Sequence, residues 1–121
     1  MDGHQAESII ITCIDFRFQE AINKWIAENF QPKTYDRGAF AGAAKSLDTI
    51  LSQIEIANRL HHIRKAIIIN HEDCGAYGPE GTVDHHSRDL KQVKKQILEQ
   101  FPNLEVEIYY LRLDGTFEPI A

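Results

Sequence analysis

The sequence predicts an α/β fold: a three-layer, mostly parallel four-stranded sheet flanked by helices, with a short antiparallel C-terminal edge strand. Three observations carry this expectation. Two β-branched runs, Ser8 to Ile14 (SIIITCI) and Lys65 to Asn70 (KAIIIN), lack the polar alternation of half-exposed strands and suit burial on both faces of a parallel sheet. Amphipathic segments of helical period separate the strand candidates, and strand-helix alternation builds a parallel sheet with right-handed crossovers. Asp114-Gly115, after the last strand candidate, is a hairpin signal that reverses the chain into an antiparallel edge.

Taken in order, Ser8 to Ile14 is the first strand. Ile22, Trp25, Ile26 and Phe30 then fall at helical spacing, and Pro32 stops that helix. Lys33 to Arg37 is a short strand candidate. Gly38 to Ala44 (GAFAGAA) is small enough to bring backbone close to another group and reads as a site loop. From about Lys45, the positions Leu47, Ile50, Leu51, Ile54, Ala57 and His61 trace one face of a long helix. Lys65 to Asn70 follows as the second buried strand. His71 to Asp84, rich in Gly, Pro and acidic residues, reads as loop, and Leu90, Val93, Ile97 and Phe101 mark a third helix ended by Pro102. Glu105 to Leu113 (EVEIYYLRL) and Thr116 to Ile120 form the closing strands. Residues 1–121 make one domain, without repeats or low-complexity stretches.

A net charge of −5 and scattered Lys and Arg argue against nucleic acid or an anionic membrane as partner. Neither an apolar leader nor a bilayer-length stretch is present, which predicts a soluble, cytoplasmic protein. The two cysteines, Cys13 and Cys74, are poor material for a disulfide framework and read as reduced thiols or metal ligands.

The chemistry collects where ligands gather in such sheets, at the carboxyl ends of strands. Cys13, Asp15 and Arg17 alternate, so an extended backbone projects all three to one side. His71 and Cys74 follow the second buried strand at a spacing of three, with Gly75 and Gly78 supplying freedom for a turn. Either cysteine alone would read as a small buried hydrophobe. Two thiolates and an imidazole together are the set expected of a tetrahedral zinc site whose fourth position is open or taken by a carboxylate. Asp15 is the candidate fourth ligand, unless Arg17 holds it off the metal in a bidentate pair.

CIDFR (Cys13 to Arg17) and HEDCG (His71 to Gly75) resemble the CxDxR and HxxCG motifs of the β-class carbonic anhydrases. The resemblance implies Zn2+ held by Cys13, His71 and Cys74, and Asp15 with Arg17 as the catalytic dyad that gates and orients the activated water. It also implies reversible hydration of carbon dioxide to bicarbonate, and a homodimer or higher homo-oligomer. Phe16 stands where the family usually has serine. The chain is shorter than typical members, and Arg37 to Gly42 (RGAFAG) is a loose counterpart of their Arg-Asn-Ala-Gly-Gly segment. An apolar substrate needs an apolar approach, for which Phe16, Phe40, Ala41 and Tyr77 are the candidates, with Gly38, Gly42 and Gly75 as further pocket residues.

Rival readings keep the metal site. Carbonyl sulfide and carbon disulfide are also linear, uncharged electrophiles. A non-catalytic protein could use zinc, with Asp15 as fourth ligand, to staple a small core, or could bind bicarbonate without turnover. His85 and His86 read as solvated residues near a helix start, with a proton-shuttle role as the alternative. His61 and His62 suit the negative end of a helix dipole.

Overall fold

The computed structural model describes residues 4–121. The buried isoleucine run forms β1 (Ser8–Thr12), and the matching runs form β3 (Lys65–His71) and β4 (Glu105–Leu111). β2 (Tyr35–Ala39) and β5 (Phe117–Pro119) are the two edges, and the order across the sheet is β2-β1-β3-β4-β5. The first four are parallel and β5 runs antiparallel to β4, as the sequence predicts.

Period-two alternation divides the sheet between two cores. Ile9, Ile11, Ala66, Ile68, Val106 and Ile108 face one side, covered by α2 (Leu47–His61) and α3 (Val83–Gln100) through Ile50, Ile54, Leu90, Val93 and Ile97. Ile10, Ile67, Ile69 and Leu111 face the other, covered by α1 (Gln19–Asn29) through Ile22 and Ile26, with Phe18 just ahead of it. Central strands apolar on both faces therefore have a helical layer for each face.

Several boundaries differ from the sequence reading for local reasons. The strand expected over Lys33 to Arg37 begins two residues later, because Lys33 turns through a left-handed φ of 66°. Gly38 is consequently a β2 residue paired with Ile11, outside the site loop. The second helix starts at Leu47, after a short 3-10 turn over Ala43–Lys45. α3 starts at Val83, inside the predicted loop, because Thr82 Oγ1 accepts the His85 N–H and caps it.

The histidines depart furthest from expectation. His86 is completely buried rather than solvated. Asn70 Oδ1 accepts the Ala44 N–H at 2.9 Å, so the Asn70 amide points its Nδ2 donors at Tyr77 Oη and His86 Nδ1, both at 2.9 Å. The Tyr77 hydroxyl in turn donates to Asp89 Oδ2 at 2.8 Å. His61, rather than merely completing a helix dipole, pairs its Nδ1 with Asp36 Oδ2 of β2 at 2.7 Å.

Candidate metal centre

Cys13 is the first residue past β1, His71 ends β3, and Cys74 follows three residues later, so two neighbouring strand ends converge. The Sγ atoms of Cys13 and Cys74 lie 4.0 Å apart. With His71 they form a buried group of three whose ligand atoms all fall within 4.8 Å of one another. Two sulfurs on one tetrahedral zinc, each at about 2.3 Å, stand about 3.8 Å apart, so the spacing suits such an ion.

The imidazole is oriented for the same task. A backbone carbonyl only accepts, so the 2.8 Å contact between His71 Nδ1 and Glu72 O fixes the Nδ1 proton when the ring is neutral. Nε2 then carries the lone pair, and this buried atom has no hydrogen-bond partner among the described residues. A carbonyl behind one ring nitrogen with a bare nitrogen in front is the arrangement of a metal-ligating histidine. Phe18 stacks on the ring at 4.3 Å and holds its plane.

The thiols differ. Burial pushes the Cys13 thiol up, but the neighbouring His71 ring and the Gly42 and Asp15 amides outweigh it and bring the pKa down to about 7. The Gly42 N–H donates to Cys13 Sγ at 3.4 Å, and a left-handed φ of 83° lets it do so. Cys74 is pushed up, chiefly by burial.

Asp15 Oδ1 accepts from the Arg17 main-chain N–H at 2.9 Å and from Nε at 3.1 Å, while Oδ2 accepts from Nη2 at 2.7 Å. This clamp, above all, holds the Asp15 carboxyl down at about 2. Oδ2, which Arg17 Nε also approaches at 3.3 Å, lies 3.8 Å from His71 Nε2, so an ionised acceptor stands beside the bare nitrogen. The dyad residues and the three ligand candidates are thus in one place.

The other sequence candidates divide. Tyr77 is buried against Cys13 and Cys74. Phe16 is 86% exposed on the rim, and Phe40 packs into the α2/α3 core, away from the site. Gly38 lies within β2, where an added Cβ would meet Ile11. Of the two glycines expected to free the turn, Gly75 has open space around it and no positive φ while Gly78 takes a left-handed φ of 63°; Asp73 adds a second left-handed position at 57°.

Asp73, Gln19 and Asn70 support the site without having been singled out in the sequence. Asp73 touches Arg17, and Gln19 Nε2 donates to the carbonyls of Cys13 and Asp15 at 3.2 and 2.9 Å. The only sequence signal for Asp73 was its place inside HEDCG. A concavity of about 630 Å3 lies at the opposite, amino ends of the strands, lined in part by Ser8, Phe30, Thr34 and Lys65. Among the described residues no metal-ligand group falls there, so donor geometry rather than cavity size marks the site.

A family model described as "Putative carbonic anhydrase" matches residues 4–121. An uncharacterised protein of Rickettsia bellii is 29% identical, covering 97% of this chain and 83% of its own length. Another from Rickettsia conorii is 28% identical, over 97% of this chain and 73% of its own. Among solved structures, carbonic anhydrase from Streptococcus mutans superposes with a TM-score of 0.69 at 15% identity, covering all of this chain and 86% of that one. Carbonic anhydrase from Glaciozyma antarctica gives 0.65 at 16%, covering 99% and 85%. A tetrameric β-carbonic anhydrase from Sordaria macrospora gives 0.59 at 15%, covering 98% and 82%. With a family match spanning nearly its whole length and the fold of those enzymes, the chain belongs to the carbonic anhydrase family as a short, divergent member of β-class architecture.

Proposed function

We propose that this protein is a zinc-dependent lyase that reversibly hydrates carbon dioxide to bicarbonate, with Cys13, His71 and Cys74 as metal ligands and Asp15 and Arg17 as its dyad. The observation that carries the reading is the unpartnered, buried His71 Nε2, facing two thiols 4.0 Å apart with an ionised carboxylate oxygen 3.8 Å away.

A zinc ion held there supplies a Lewis acid that makes water nucleophilic near neutral pH toward an uncharged, electrophilic carbon. The remaining work falls to the chain. Glu72 O keeps the His71 proton on Nδ1 and so keeps Nε2 available. Two thiolates would blunt the acidity of the ion, and the Gly42 N–H offsets this by drawing charge onto itself from Cys13 Sγ. Asp15 would accept a hydrogen bond from the attacking water at Oδ2, the oxygen nearer His71, and so orient it. Arg17 keeps Asp15 ionised throughout the working pH range.

The Asp15 clamp also favours the catalytic reading over a four-ligand structural staple, because the carboxylate is engaged on both oxygens by Arg17. Assembly as a homodimer or higher oligomer is supported by the exposed Ile14, Phe16 and Leu113 at the strand ends bearing the site. The two free thiols suit a reducing compartment such as the cytoplasm, and no described helix is long and apolar enough to cross a membrane.

The test is carbon dioxide hydration by stopped-flow pH indicator on protein of measured zinc content, beside Cys74→Ser. About one zinc per chain with turnover, both lost in the variant, supports the reading. Stoichiometric zinc without turnover at neutral and alkaline pH would overturn it, and sulfide release from carbonyl sulfide or carbon disulfide would then identify the substrate.

A further inference from the structure

We propose that Asp73 is a positioning residue for Arg17: its carboxylate and main-chain carbonyl hold the far edge of the guanidinium, so that the near edge stays clamped on Asp15. The inference rests on the Asp15/Arg17 roles given above and adds a third member to that pair.

Arg17 carries five N–H donors in one plane, and the structure engages them from two sides. Nε and Nη2 reach Asp15. Nη1 donates to Asp73 Oδ2 at 3.0 Å, and Nη2 also donates to Asp73 O at 2.8 Å. Asp15 alone, bonded to Nε and Nη2, leaves the Nη1 edge of an exposed arginine to water. A second acceptor pair on the opposite edge fixes the plane of the fork.

The backbone of Asp73 is shaped for this. Its φ of 57° lies in the left-handed region, disfavoured for residues with a Cβ and tolerated best by Asn, Asp and Gly. The turn points both the carbonyl and the carboxylate of Asp73 toward the same guanidinium. Gly75, two residues on, makes no such turn, so the strained position coincides with the residue that contacts Arg17. Asp73 also sits between His71 and Cys74, whereas Arg17 follows Cys13. The Arg17–Asp73 contact therefore ties the two halves of the site together outside the ligand set.

Asp15 is well enclosed, with 15% of its side chain exposed, but the Asp73 side chain is 71% exposed and that of Arg17 37%. Water screens the outer pair, so its influence amounts to about fivefold in an equilibrium at most. It adjusts how firmly Asp15 is held and does not create the clamp.

The experiment uses zinc-loaded protein and reads the Arg17 Nε–H directly, by hydrogen exchange of its 15N-labelled resonance, in wild type, Asp73→Gly and Asp73→Asn. Glycine removes the carboxylate yet takes the left-handed φ without strain, so a role confined to the turn leaves exchange unchanged. The expected result is exchange about fivefold faster in Asp73→Gly, with Asp73→Asn, which restores an acceptor for Nη1, returning most of the protection. Hydration kcat/KM is measured in the same variants and in Arg17→Ala. Asp73→Gly should lower it about fivefold alone and not at all in the Arg17→Ala background. Unchanged Nε–H exchange in Asp73→Gly overturns the proposal. So do multiplicative losses in the two backgrounds. If wild type fails to hydrate carbon dioxide, the functional reading falls and the exchange measurement alone decides the role of Asp73.

Discussion

His86 makes the stability of this protein acid-sensitive. Burial, above all, lowers its pKa from 6.5 to about 4, and positive charge on His71 and His85 adds to the effect while Asp89 opposes it. Asn70 aims an Nδ2 donor at His86 Nδ1, leaving the proton on a buried Nε2 without a partner among the described residues. A second proton would set N–H against N–H. The Tyr77 and Tyr110 rings, tilted against it with centroids at 3.9 and 5.2 Å, pack on the imidazole as apolar surface. Between pH 6.5 and about 4 the unfolded chain binds a proton that the folded chain does not, so acid favours unfolding. The stability contributed by neutral His86 is present in full above pH 6.5 and lost as pH falls toward 4. A gap of some 2.5 units corresponds to a ceiling of about 3 kcal/mol. His86→Gln removes the titration and keeps an acceptor for Asn70, at a cost of about 1–2 kcal/mol at pH 7 from lost packing on Tyr77. Urea unfolding of both proteins at pH 7, 6, 5 and 4 reads the comparison. The wild-type advantage should shrink steadily and reverse near the acid end. An advantage that stays constant across that range refutes the assignment.

Asp15→Asn should abolish carbon dioxide hydration while leaving about one zinc per chain by elemental analysis, since the ligand set is untouched; retained activity would remove Asp15 from the mechanism. Gly42→Ala combines a φ of 83° with a Cβ 3.1 Å from Lys45 Cβ and 3.2 Å from Ala76 Cβ, so unfolding in urea should show a loss of about 1–3 kcal/mol. Ile68→Ala, at a fully buried central-strand position facing α2 and α3, should cost about 2–5 kcal/mol and leave zinc stoichiometry unchanged in the folded fraction.

What the sequence revealed and what it hid follow from the range of the forces involved. Central strands apolar on both faces and helices with one apolar stripe are local patterns, so β1, β3, α1 and the middles of α2 and α3 were legible. β2 was marginal because YDRGA is an edge strand with only one neighbour to satisfy, and a lysine in the left-handed region moved its start. The ligand candidates were legible because thiol and imidazole at fixed spacing are rare outside metal sites. Their supports were not. Asp73 acts through a backbone angle and an arginine 56 residues away, and the burial of His86 depends on Asn70 and Tyr77 across the α3 layer. Phe16 and Phe40, chosen for closeness in sequence to the site, show the opposite error. Phe16 opens a 3-10 turn and faces outward, Phe40 follows β2 and turns into the α2/α3 core, and neither joins the apolar cluster of Cys13, Cys74 and Tyr77.

The strand order explains why a chain this short can build the site. The chain runs from β1 through α1 to the edge at β2, then crosses β1 on the opposite face through α2 to reach β3. The direction of winding therefore reverses between β1 and β3, and the crevice at a sheet's carboxyl end opens at such a reversal. Cys13 leaves one lip of that crevice and His71 ends the other. Adjacent strands stand about 4.8 Å apart, a separation suited to ligands sharing one metal ion. The spacing is thus set by backbone hydrogen bonds in the most buried part of the sheet, where Ile10, Ile11, Ile67 and Ile68 are fully enclosed. Cys13 lies one residue past its strand and Cys74 three past its own, and the Arg17 contacts with Asp15 and Asp73 brace the Cys74 loop against the β1 side. Loosening the brace should therefore weaken the hold on Asp15 and Cys74 before it disturbs Cys13 or His71.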